Sequence, residues 1–557
     1  MNAKVWALFV AASIALLSLG APLTVTRGLA ATAAPVTVSV FAVPASNVVN
    51  LHTNWFTKYA EKKFGMQFQW VIASPSDATT KQNLLLASGN YPDVFWAGNF
   101  TPQQELKYGQ QGVFVPLNKY IHQYAPHIEK AMRGVPGLKD AMVTPGGNIY
   151  AIPQINWCFH CFWSSKYWIN TRWLKELHLP MPTTTAEFTH VLQVFRTHPP
   201  RGVKNVIPLA GASDGWHTDP TTFLMNAFIY DDGDNASAGN PVGADHFVIQ
   251  NGKVSFASVQ PQWKEGLAYL HSLFQQGLVN SNTFFTQNAD QLTSEVQQGR
   301  VGVFADGASN SLINYGAPGS DYQNWWVVPP LKGPHGVRYA AFYGNGPTST
   351  QFAITNKATP DQIRAIMKLA DFVFTEKGVT LFDFGPSGVF WTPAKKGQTG
   401  LDKRQAVINI QWNKLAGGQL QNWGWNQMGL MYQSAHWFNS QAASPEFAPN
   451  GSQTLLYDMT KQFYAGHQPK EVYPAVGATW IPPAQTQQYE MMRTNINNYV
   501  SQWNDQFIVG SKDLTKDWNT YVQGVKNLGL QQYLHIAQSA MGKPFDTTSP
   551  LFRGGAP

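Results

Sequence analysis

The order of strand and helix patterns near the start of this chain constrains its fold more than any other feature. Residues 36–43 (VTVSVFAV) are rich in β-branched residues and predict a buried strand, and residues 51–64 have the apolar spacing of an amphipathic helix. Met66–Ile72 then alternates like a strand, residues 79–87 predict a second helix, and residues 94–97 predict a third strand. This alternation predicts an α/β fold, in which ligands bind at the carboxyl ends of the strands.

The first 33 residues have the three parts of a secretory signal peptide. Lys4 gives a positive start, residues 5–19 are apolar or small, and Ala31 and Ala33 are small residues at the positions that a signal peptidase reads. We expect cleavage near Ala33. The alternative is an uncleaved anchor helix, because residues 5–23 approach the length that spans a membrane. No cysteine follows the apolar run, so the sequence predicts a periplasmic or cell-surface protein without an attached lipid.

Composition excludes several classes of protein. Charged residues make up 13% of the 557 residues and aromatic residues another 13%, which gives enough core-forming surface to exclude a disordered chain. The net charge of +7 is spread without blocks, and we therefore expect no nucleic-acid partner. No stretch after the signal reaches about 20 apolar residues, so no membrane span is predicted in the mature chain. The length allows two large lobes, and helical patterns dominate the last third.

Several segments, in the same order along the chain, resemble those of extracellular solute-binding proteins that serve ABC importers of sugars. They include QNLLLASGNYPDVFWAGNF from Gln82, GNIYAIPQ from Gly147 and YWINTRWLKELHLPMPTTTAEF from Tyr167. The C-terminal run INNYVSQWNDQFIVGSKDLTKDWNTYVQGVKNLGLQQYL is similar to the oligosaccharide-binding branch of that family, which is related to the maltose-binding proteins. The similarity covers most of residues 36–538. No single segment is specific, but the ordered set is.

The resemblance implies a periplasmic-binding-protein-like fold with two α/β lobes, a ligand cleft between them and extra C-terminal helices. By that likeness, residues 36–157 and about 339–390 form lobe one. Residues of about 158–338 and about 391–557 form lobe two. The resemblance also implies a monomer that captures a carbohydrate, most simply an oligosaccharide, by closing its lobes and then delivers it to the membrane subunits of an ABC permease.

Aromatic rings beside hydrogen-bonding side chains are the groups that hold sugars, because a sugar presents C–H faces and hydroxyl edges. Trp96 and Asn99 follow the third predicted strand, and the resemblance implies that Trp96 stacks on the ligand while Asn99 replaces a carboxylate of maltose-binding relatives. Trp157 and Phe159 lie in an aromatic stretch, NWCFHCFW, where the chain crosses between the lobes. Packing in the core or between the lobes is the alternative for these residues.

Three later groups complete the predicted ligand-binding set. The first two are expected in lobe two and the third on the far wall of the cleft, and each has ordinary packing as its alternative. They are Trp216, His217, Phe223 and Asn226; Asp306 and Asn310; and Trp423 and Trp425.

Cys158 and Cys161 are the two cysteines of the chain. In an oxidising compartment this C-x-x-C pair predicts a short disulfide. A redox-active pair would be expected to open a helix, and the aromatic flanks do not fit that context. Phe162 excludes haem attachment, which needs a histidine directly after the second cysteine. A zinc site would need two more ligands from distant histidines.

A calcium loop is the one metal motif that the sequence approaches. Asp231, Asp232, Asp234 and Asn235 resemble the start of such a loop, but the EF-hand spacing is not met because Ala236 falls where an oxygen ligand is needed. We interpret this segment as a solvated turn. The sequence therefore predicts no metal and no cofactor.

Two other functions compete with sugar capture. A secreted glycoside hydrolase would share the aromatic rings but needs two carboxyl groups across the scissile bond, and Asn99 and Trp157 stand where relatives carry acids. A peptide-binding protein or a partner of a membrane sensor would have the same shape, because a fold does not determine a function. The sequence predicts a binding protein that is not an enzyme.

Overall fold

The computed structural model describes residues 35–549, except residues 76, 214, 234–244, 285, 316, 344–346, 416–418 and 475–478, together with residue 552. The predicted signal peptide, residues 1–33, lies outside the described residues, as do Asp234 and Asn235. Within the described part, each helix is too short or too polar to cross a membrane.

The strands and helices alternate along the chain. The strands are β1 (Val36–Ala42), β2 (Met66–Ile72), β3 (Val94–Phe95), β4 (Ala151–Asn156), β5 (Tyr167–Asn170), β6 (Ile207–Ala210), β7 (Phe247–Gln250), β8 (Lys253–Phe256), β9 (Val301–Ala305), β10 (Trp325–Val328), β11 (Pro347–Ile354), β12 (Trp391–Pro393), β13 (Ile408–Ile410), β14 (Tyr432–Gln433), β15 (Glu471–Val472) and β16 (Phe545–Asp546). The helices are α1 (Trp55–Phe64), α2 (Ala78–Ser88), α3 (Pro102–Gln110), α4 (Asn118–Tyr124), α5 (Pro126–Gly134), α6 (Leu138–Met142), α7 (Thr171–Glu176), α8 (Thr185–Thr197), α9 (Thr221–Met225), α10 (Pro261–Gln275), α11 (Ala289–Gln297), α12 (Pro360–Phe372), α13 (Glu376–Phe384), α14 (Ala435–Asn439), α15 (Ser452–Met459), α16 (Pro483–Val509), α17 (Trp518–Asn527) and α18 (Leu530–Met541).

The first five predicted elements are present, with small differences at their ends. Helix α1 begins at Trp55 because the Asn54 side chain accepts a hydrogen bond from the backbone N–H of Phe56 and caps the helix. It ends at Gly65, whose φ of 66° is the left-handed conformation that glycine adopts without strain. Strand β3 is shorter than predicted and ends at Phe95.

The first sheet has six strands in the order β14-β4-β11-β3-β1-β2. Strand β1 is parallel to both β2 and β3, and β11 runs antiparallel to its neighbours β3 and β4. Val38, Val40 and Phe41 of β1 are fully buried, which explains the apolar and β-branched composition of this strand. We refer to this sheet and its helices as the first lobe.

The second sheet has four strands in the order β10-β5-β9-β6. Its middle strand β9 pairs parallel with β6 and antiparallel with β5. The largest group of buried apolar side chains in the described residues includes members of both sheets, such as Val40 and Val303. This second sheet and its helices form the second lobe, so the predicted two-lobed α/β class is confirmed.

One segment departs from the expected lobe boundaries. Residues from about 391 to 557 were expected in lobe two, but β14 pairs parallel with β4 in the first sheet. Val48 also forms a bridge with Gln421, which ties the segment before β14 to the first lobe. The chain therefore returns to the first lobe between Gln421 and Gln433. The reason is that strand pairing joins segments far apart in sequence, which local patterns do not reveal.

The C-terminal helices extend the second lobe, as the resemblance implied. The long helix α16 packs against α10 and α18, and it also contacts α3 of the first lobe. The indole N–H of Trp263 on α10 donates to Asn504 of α16 at 3.2 Å. Helix α16 therefore belongs to the second lobe but reaches the first.

Candidate ligand-binding site

Three partly exposed rings meet after strand β6. Trp216 and His217 lie in the loop between β6 and α9, and Tyr343 lies on the segment that crosses from β10 to β11. The ring centroids of Trp216 and His217 are 5.2 Å apart, and those of His217 and Tyr343 are 4.7 Å apart. We call Trp216, His217 and Tyr343 the ring group. It offers aromatic surface beside polar edges at the carboxyl end of the second sheet, where α/β sheets bind ligands.

The loop that carries Trp216 is held by glycine and by backbone hydrogen bonds. Gly307, just after β9, donates its N–H to the carbonyl oxygen of Trp216 at 3.3 Å. A Cβ atom at Gly307 would lie 2.3 Å from the indole ring, so only glycine lets the ring rest there. The N–H of Ala212 donates to the carbonyl of Thr218 at 3.0 Å and closes the loop. The position of Trp216 is thus set by the ends of two neighbouring strands.

His217 is the polar member of the ring group. Burial and the positive charge of Lys166 lower the pKa of His217 to about 3. The imidazole is therefore neutral at physiological pH, and a neutral imidazole has one nitrogen that donates and one that accepts a hydrogen bond. Hydroxyl groups have the same dual character, so the ring group suits a ligand with both C–H faces and hydroxyls.

Lys166 and Asp306 lie beneath this surface. Lys166 is fully buried, and its Nζ donates to the carbonyl oxygens of His160 and Trp163. Burial lowers the pKa of Lys166 to about 7, against the opposing attraction of Asp306. Burial likewise raises the pKa of Asp306 to about 7. The amine of Lys166 and the carboxyl group of Asp306 therefore interact electrostatically inside the second lobe.

Asp306 lies in the interior of the second lobe, and its predicted contact with ligand stays a prediction. Asp306 is buried, and its Oδ1 accepts hydrogen bonds from the N–H of Ala308 at 2.7 Å and from the hydroxyl of Ser311 at 2.8 Å. The carboxylate shapes the loop after β9 and does not face solvent. Asn310, in the same loop, is partly exposed, and its role in binding stays a prediction.

Phe223 and Asn226 also belong to the interior, and their predicted contact with ligand stays a prediction. Phe223 is buried and stacks on Tyr167, with ring centroids 4.1 Å apart. Asn226 is buried, and its Nδ2 donates to the carbonyl oxygens of Thr222 at 2.9 Å and Asp231 at 2.8 Å. The apolar contact and the satisfied amide show that both side chains support α9 and the turn after it.

Trp96 and Trp425 are buried in the first lobe, which favours the packing alternative, and their predicted contact with ligand stays a prediction. Both indoles are fully buried, and their centroids are 5.5 Å apart in an edge-on arrangement. The Trp96 N–H donates to the carbonyl of Met428 at 3.0 Å, and the Trp425 N–H donates to the hydroxyl of Thr57 at 2.8 Å. Buried indoles with satisfied N–H groups are typical packing residues.

Trp157 and Phe159 are likewise buried where the chain leaves the first sheet. Trp157 packs edge-on against Phe162 at 5.6 Å, and Phe159 lies 5.0 Å from Tyr457. Their rings fill the space at the crossing, which favours the packing alternative, and their predicted contact with ligand stays a prediction. Cys158 and Cys161 of the same stretch are joined by a disulfide in this structure.

Asn99 lies at the carboxyl edge of the first sheet. It has a φ of 46°, a left-handed conformation that asparagine tolerates better than most residues, and its Oδ1 is 3.5 Å from Nε2 of Gln351. Gln154 of β4 is also partly exposed and donates to the carbonyl of Gly429 at 2.9 Å. These amides give the first lobe a neutral polar edge. Binding by Asn99 stays a prediction.

Trp423 is the most exposed of the predicted tryptophans, with 41% of its surface accessible. Its carbonyl accepts a hydrogen bond from the N–H of Phe56, at the start of α1. The structure thus places Trp423 beside α1 of the first lobe, and its predicted role on the cleft wall stays a prediction.

A cavity of about 450 Å³ lies along one face of α16, and its described wall consists of polar residues spaced three and four apart: Asn498, Ser501, Gln502, Asp505 and Gln506. Burial and the nearby Asp219 raise the pKa of Asp505 to about 7. Asp219 follows His217 by two positions, so the polar face of α16 and the ring-group loop are close enough to interact. The cavity thus carries hydrogen-bonding groups on the α16 face that includes Asp505.

Sequence patterns did not indicate Tyr343 or the polar face of α16. Tyr343 stands in FYGNG, and an aromatic residue before glycines at a lobe crossing is the signal that could have pointed to it. The α16 residues repeat at helical spacing, but a polar stripe is the ordinary exposed face of a helix.

The comparisons with known proteins agree with this architecture. The profile of bacterial extracellular solute-binding proteins matches residues 54–396, more than half of the chain, and the chain belongs to this family. The fructooligosaccharide ABC transporter substrate-binding protein FusA of Streptococcus pneumoniae serotype 4 is 25% identical over 492 residues, which cover 86% of this chain and 85% of FusA.

Solved structures show the same fold. The structure of S. pneumoniae FusA in complex with kestose superposes with a TM-score of 0.75 at 21% identity, over 91% of this chain and 99% of that one. A solute-binding protein from Bifidobacterium longum infantis that is associated with an ABC transporter and binds HMO superposes with a TM-score of 0.72 at 19% identity, over 91% and 98% of the two chains. The recognised family is therefore confirmed, and with it a role in solute binding outside the cytoplasm.

Proposed function

We propose that this protein is the substrate-binding component of an ABC importer and that its ligand is a neutral oligosaccharide. The ring group carries the proposal, because Trp216 and Tyr343 offer aromatic surface to C–H faces while the neutral imidazole of His217 serves hydroxyls. The similarity to FusA, which is named for fructooligosaccharides, supports a ligand of this class.

The charges near the ring group favour a neutral ligand over an acidic one. Asp219 and Asp505 interact across the space between the loop and α16. An acidic sugar would bring a third negative charge to these two carboxyl groups, and like charges repel most strongly where solvent is partly excluded.

The mechanism is capture without a chemical step. A ligand that touches both lobes stabilises the closed arrangement by its difference in affinity for the two states. The closed form would then dock, as a monomer, on the membrane subunits of the importer. The predicted signal peptide and the match to the extracellular solute-binding family both support a location outside the cytoplasm.

The test is isothermal titration calorimetry of the purified chain with neutral oligosaccharides, a uronic-acid oligosaccharide and oligopeptides of similar size. We expect saturable heat with one or more neutral oligosaccharides and a raised melting temperature. Binding of oligopeptides alone would replace the proposal with the peptide-binding alternative. Release of reducing sugar during the titration would instead indicate a hydrolase.

A further inference from the structure

Asp231, Asp232 and His246 form a cluster that the ligand site does not use. One ligand atom from each residue, a carboxylate oxygen or an imidazole nitrogen, lies within 4.8 Å of the other two. The side chains of Asp231 and His246 are 2% and 14% exposed. Two acids and one imidazole thus converge in a mostly buried place.

The distance between Asp231 and His246 suits a common metal ion. Nδ1 of His246 and Oδ1 of Asp231 are 2.9 Å apart. Two ligands of a tetrahedral zinc ion, each at about 2.0–2.1 Å, are separated by about 3.3 Å. If the two atoms moved apart by a few tenths of an ångström, a metal ion could take the place of the proton between them. Each atom would then bind the metal directly.

A buried oxygen atom of Asp232 is a second, separate observation that points to a cation. Its Oδ1 is inaccessible to solvent and has no hydrogen-bond partner within the part of the chain that the structure describes. A buried oxygen without a donor is destabilising, and a cation between the two carboxylates would satisfy it.

The cluster is held in place by surrounding residues. The ring of His246 packs edge-on against Trp263 at 5.0 Å and Phe256 at 5.9 Å. Its neighbour Asp245 pairs with Arg493 of α16 at 2.5 Å and accepts a hydrogen bond from Tyr533 of α18 at 2.8 Å. These contacts hold the His246 ring and the segment that carries it.

We propose that Asp231, Asp232 and His246 bind one zinc ion. An imidazole nitrogen with two carboxylates suits zinc, whereas calcium takes oxygen ligands and would leave His246 out. The other histidine-containing cluster, Cys158, His160 and Cys161, is a weaker candidate because its sulfurs are joined in a disulfide. The proposal revises the expectation of no metal: His246 stands beyond the acidic segment, so the sequence pattern did not connect the two.

The experiment is zinc titration of the chain without an affinity tag, after treatment with EDTA and removal of the chelator. We expect about one zinc ion per chain and a higher melting temperature. Asp232→Asn and His246→Gln should each weaken zinc binding at least tenfold, because each removes one ligand. Cobalt(II) in place of zinc should give the visible absorption of a tetrahedral site, which both variants should lose.

His436→Gln is the matched control, because His436 also pairs with a carboxylate, that of Glu376 at 2.6 Å, but on the surface. It should leave zinc binding unchanged. The proposal is overturned if the untreated and EDTA-treated chains take up no zinc, or if Asp232→Asn folds normally and binds zinc like the parent chain. Sugar affinity is measured separately on the same chains. Failure of the zinc proposal can then be told apart from failure of the proposed sugar binding.

Discussion

The imidazole of His217 lies against the phenol ring of Tyr343, with centroids 4.7 Å apart. His217 follows a strand of the second sheet, whereas Tyr343 belongs to the segment that returns to the first sheet. The backbone N–H of Tyr343 donates to the carbonyl of Phe162, on the first crossing segment, at 2.9 Å. The ring group therefore contacts both segments that cross between the lobes. A change in the orientation of the lobes would act directly on these segments.

Trp216→Ala should weaken oligosaccharide binding by about 1–3 kcal/mol, or roughly 5- to 150-fold in Kd. The reason is that the ring is partly exposed and offers apolar surface that a ligand would cover. Calorimetry with the oligosaccharide found in the screen measures the change. Trp55→Ala, which removes a partly buried ring stacked on Tyr59 of α1, is the control and should leave Kd unchanged. Equal affinities for parent and Trp216→Ala would remove Trp216 from the site.

Gly307→Ala should also lower affinity, although it adds only one carbon atom. That atom would lie 2.3 Å from the indole of Trp216, so the ring has to move. We expect a rise in Kd comparable to that of Trp216→Ala, with a changed tryptophan fluorescence spectrum. Gly134→Ala at the end of α5, where the added atom meets no neighbour within 4 Å, is the matched control. A Gly307→Ala chain that binds like the parent would contradict the assigned position of the ring.

Trp96→Ala should affect stability and not recognition directly. The indole is fully buried and packs edge-on against Phe352 and Trp425. Loss of a buried tryptophan typically lowers the free energy of unfolding by about 3–5 kcal/mol. Urea denaturation followed by circular dichroism measures this difference. If the variant unfolds at the parent's urea midpoint but binds sugar more weakly, Trp96 is a ligand residue after all.

Glu105 should make stability depend on pH. It is buried beneath the first sheet, and burial raises its pKa to about 8 although the N–H groups of Tyr150 and Ala151 donate to it. Because the pKa of Glu105 in the folded state exceeds the unfolded value of about 4.5, the folded state keeps the proton up to a higher pH than the unfolded state does. Stability attributable to Glu105 is therefore complete below pH 4.5 and falls until about pH 8, by about 1.4 kcal/mol per pKa unit.

Glu105→Gln should flatten this dependence between pH 5 and pH 8, as measured by urea midpoints at each pH. Other buried acids titrate in the same window, so the slope should shrink and not vanish; Asp306 and Asp383, each with a pKa raised to about 7, are examples. Glu129→Gln, a partly exposed change on α5, serves as the control. Parallel curves for the parent and Glu105→Gln would show that Glu105 does not hold a proton in the fold.

Local patterns were sufficient for the elements but not for the site. The β-branched run of β1 and the helix that ends at Gly65 could be predicted because each depends on neighbouring residues in the chain. The same patterns could not tell a fully buried tryptophan from a partly exposed one. Trp96 and Trp216 differ in surroundings and not in kind: one is enclosed by Phe352 and Trp425, and the other rests over Gly307.

The sequence alone determined the α/β class, the family and the supply of aromatic and neutral polar residues, because these follow from periodicity, composition and the order of segments. Tertiary structure decided which rings reach solvent, that Tyr343 joins His217, that β14 returns to the first sheet and that His246 meets Asp231 and Asp232. The physical reason is that burial and pairing depend on contacts between residues far apart in the chain, and a single sequence records only its local order.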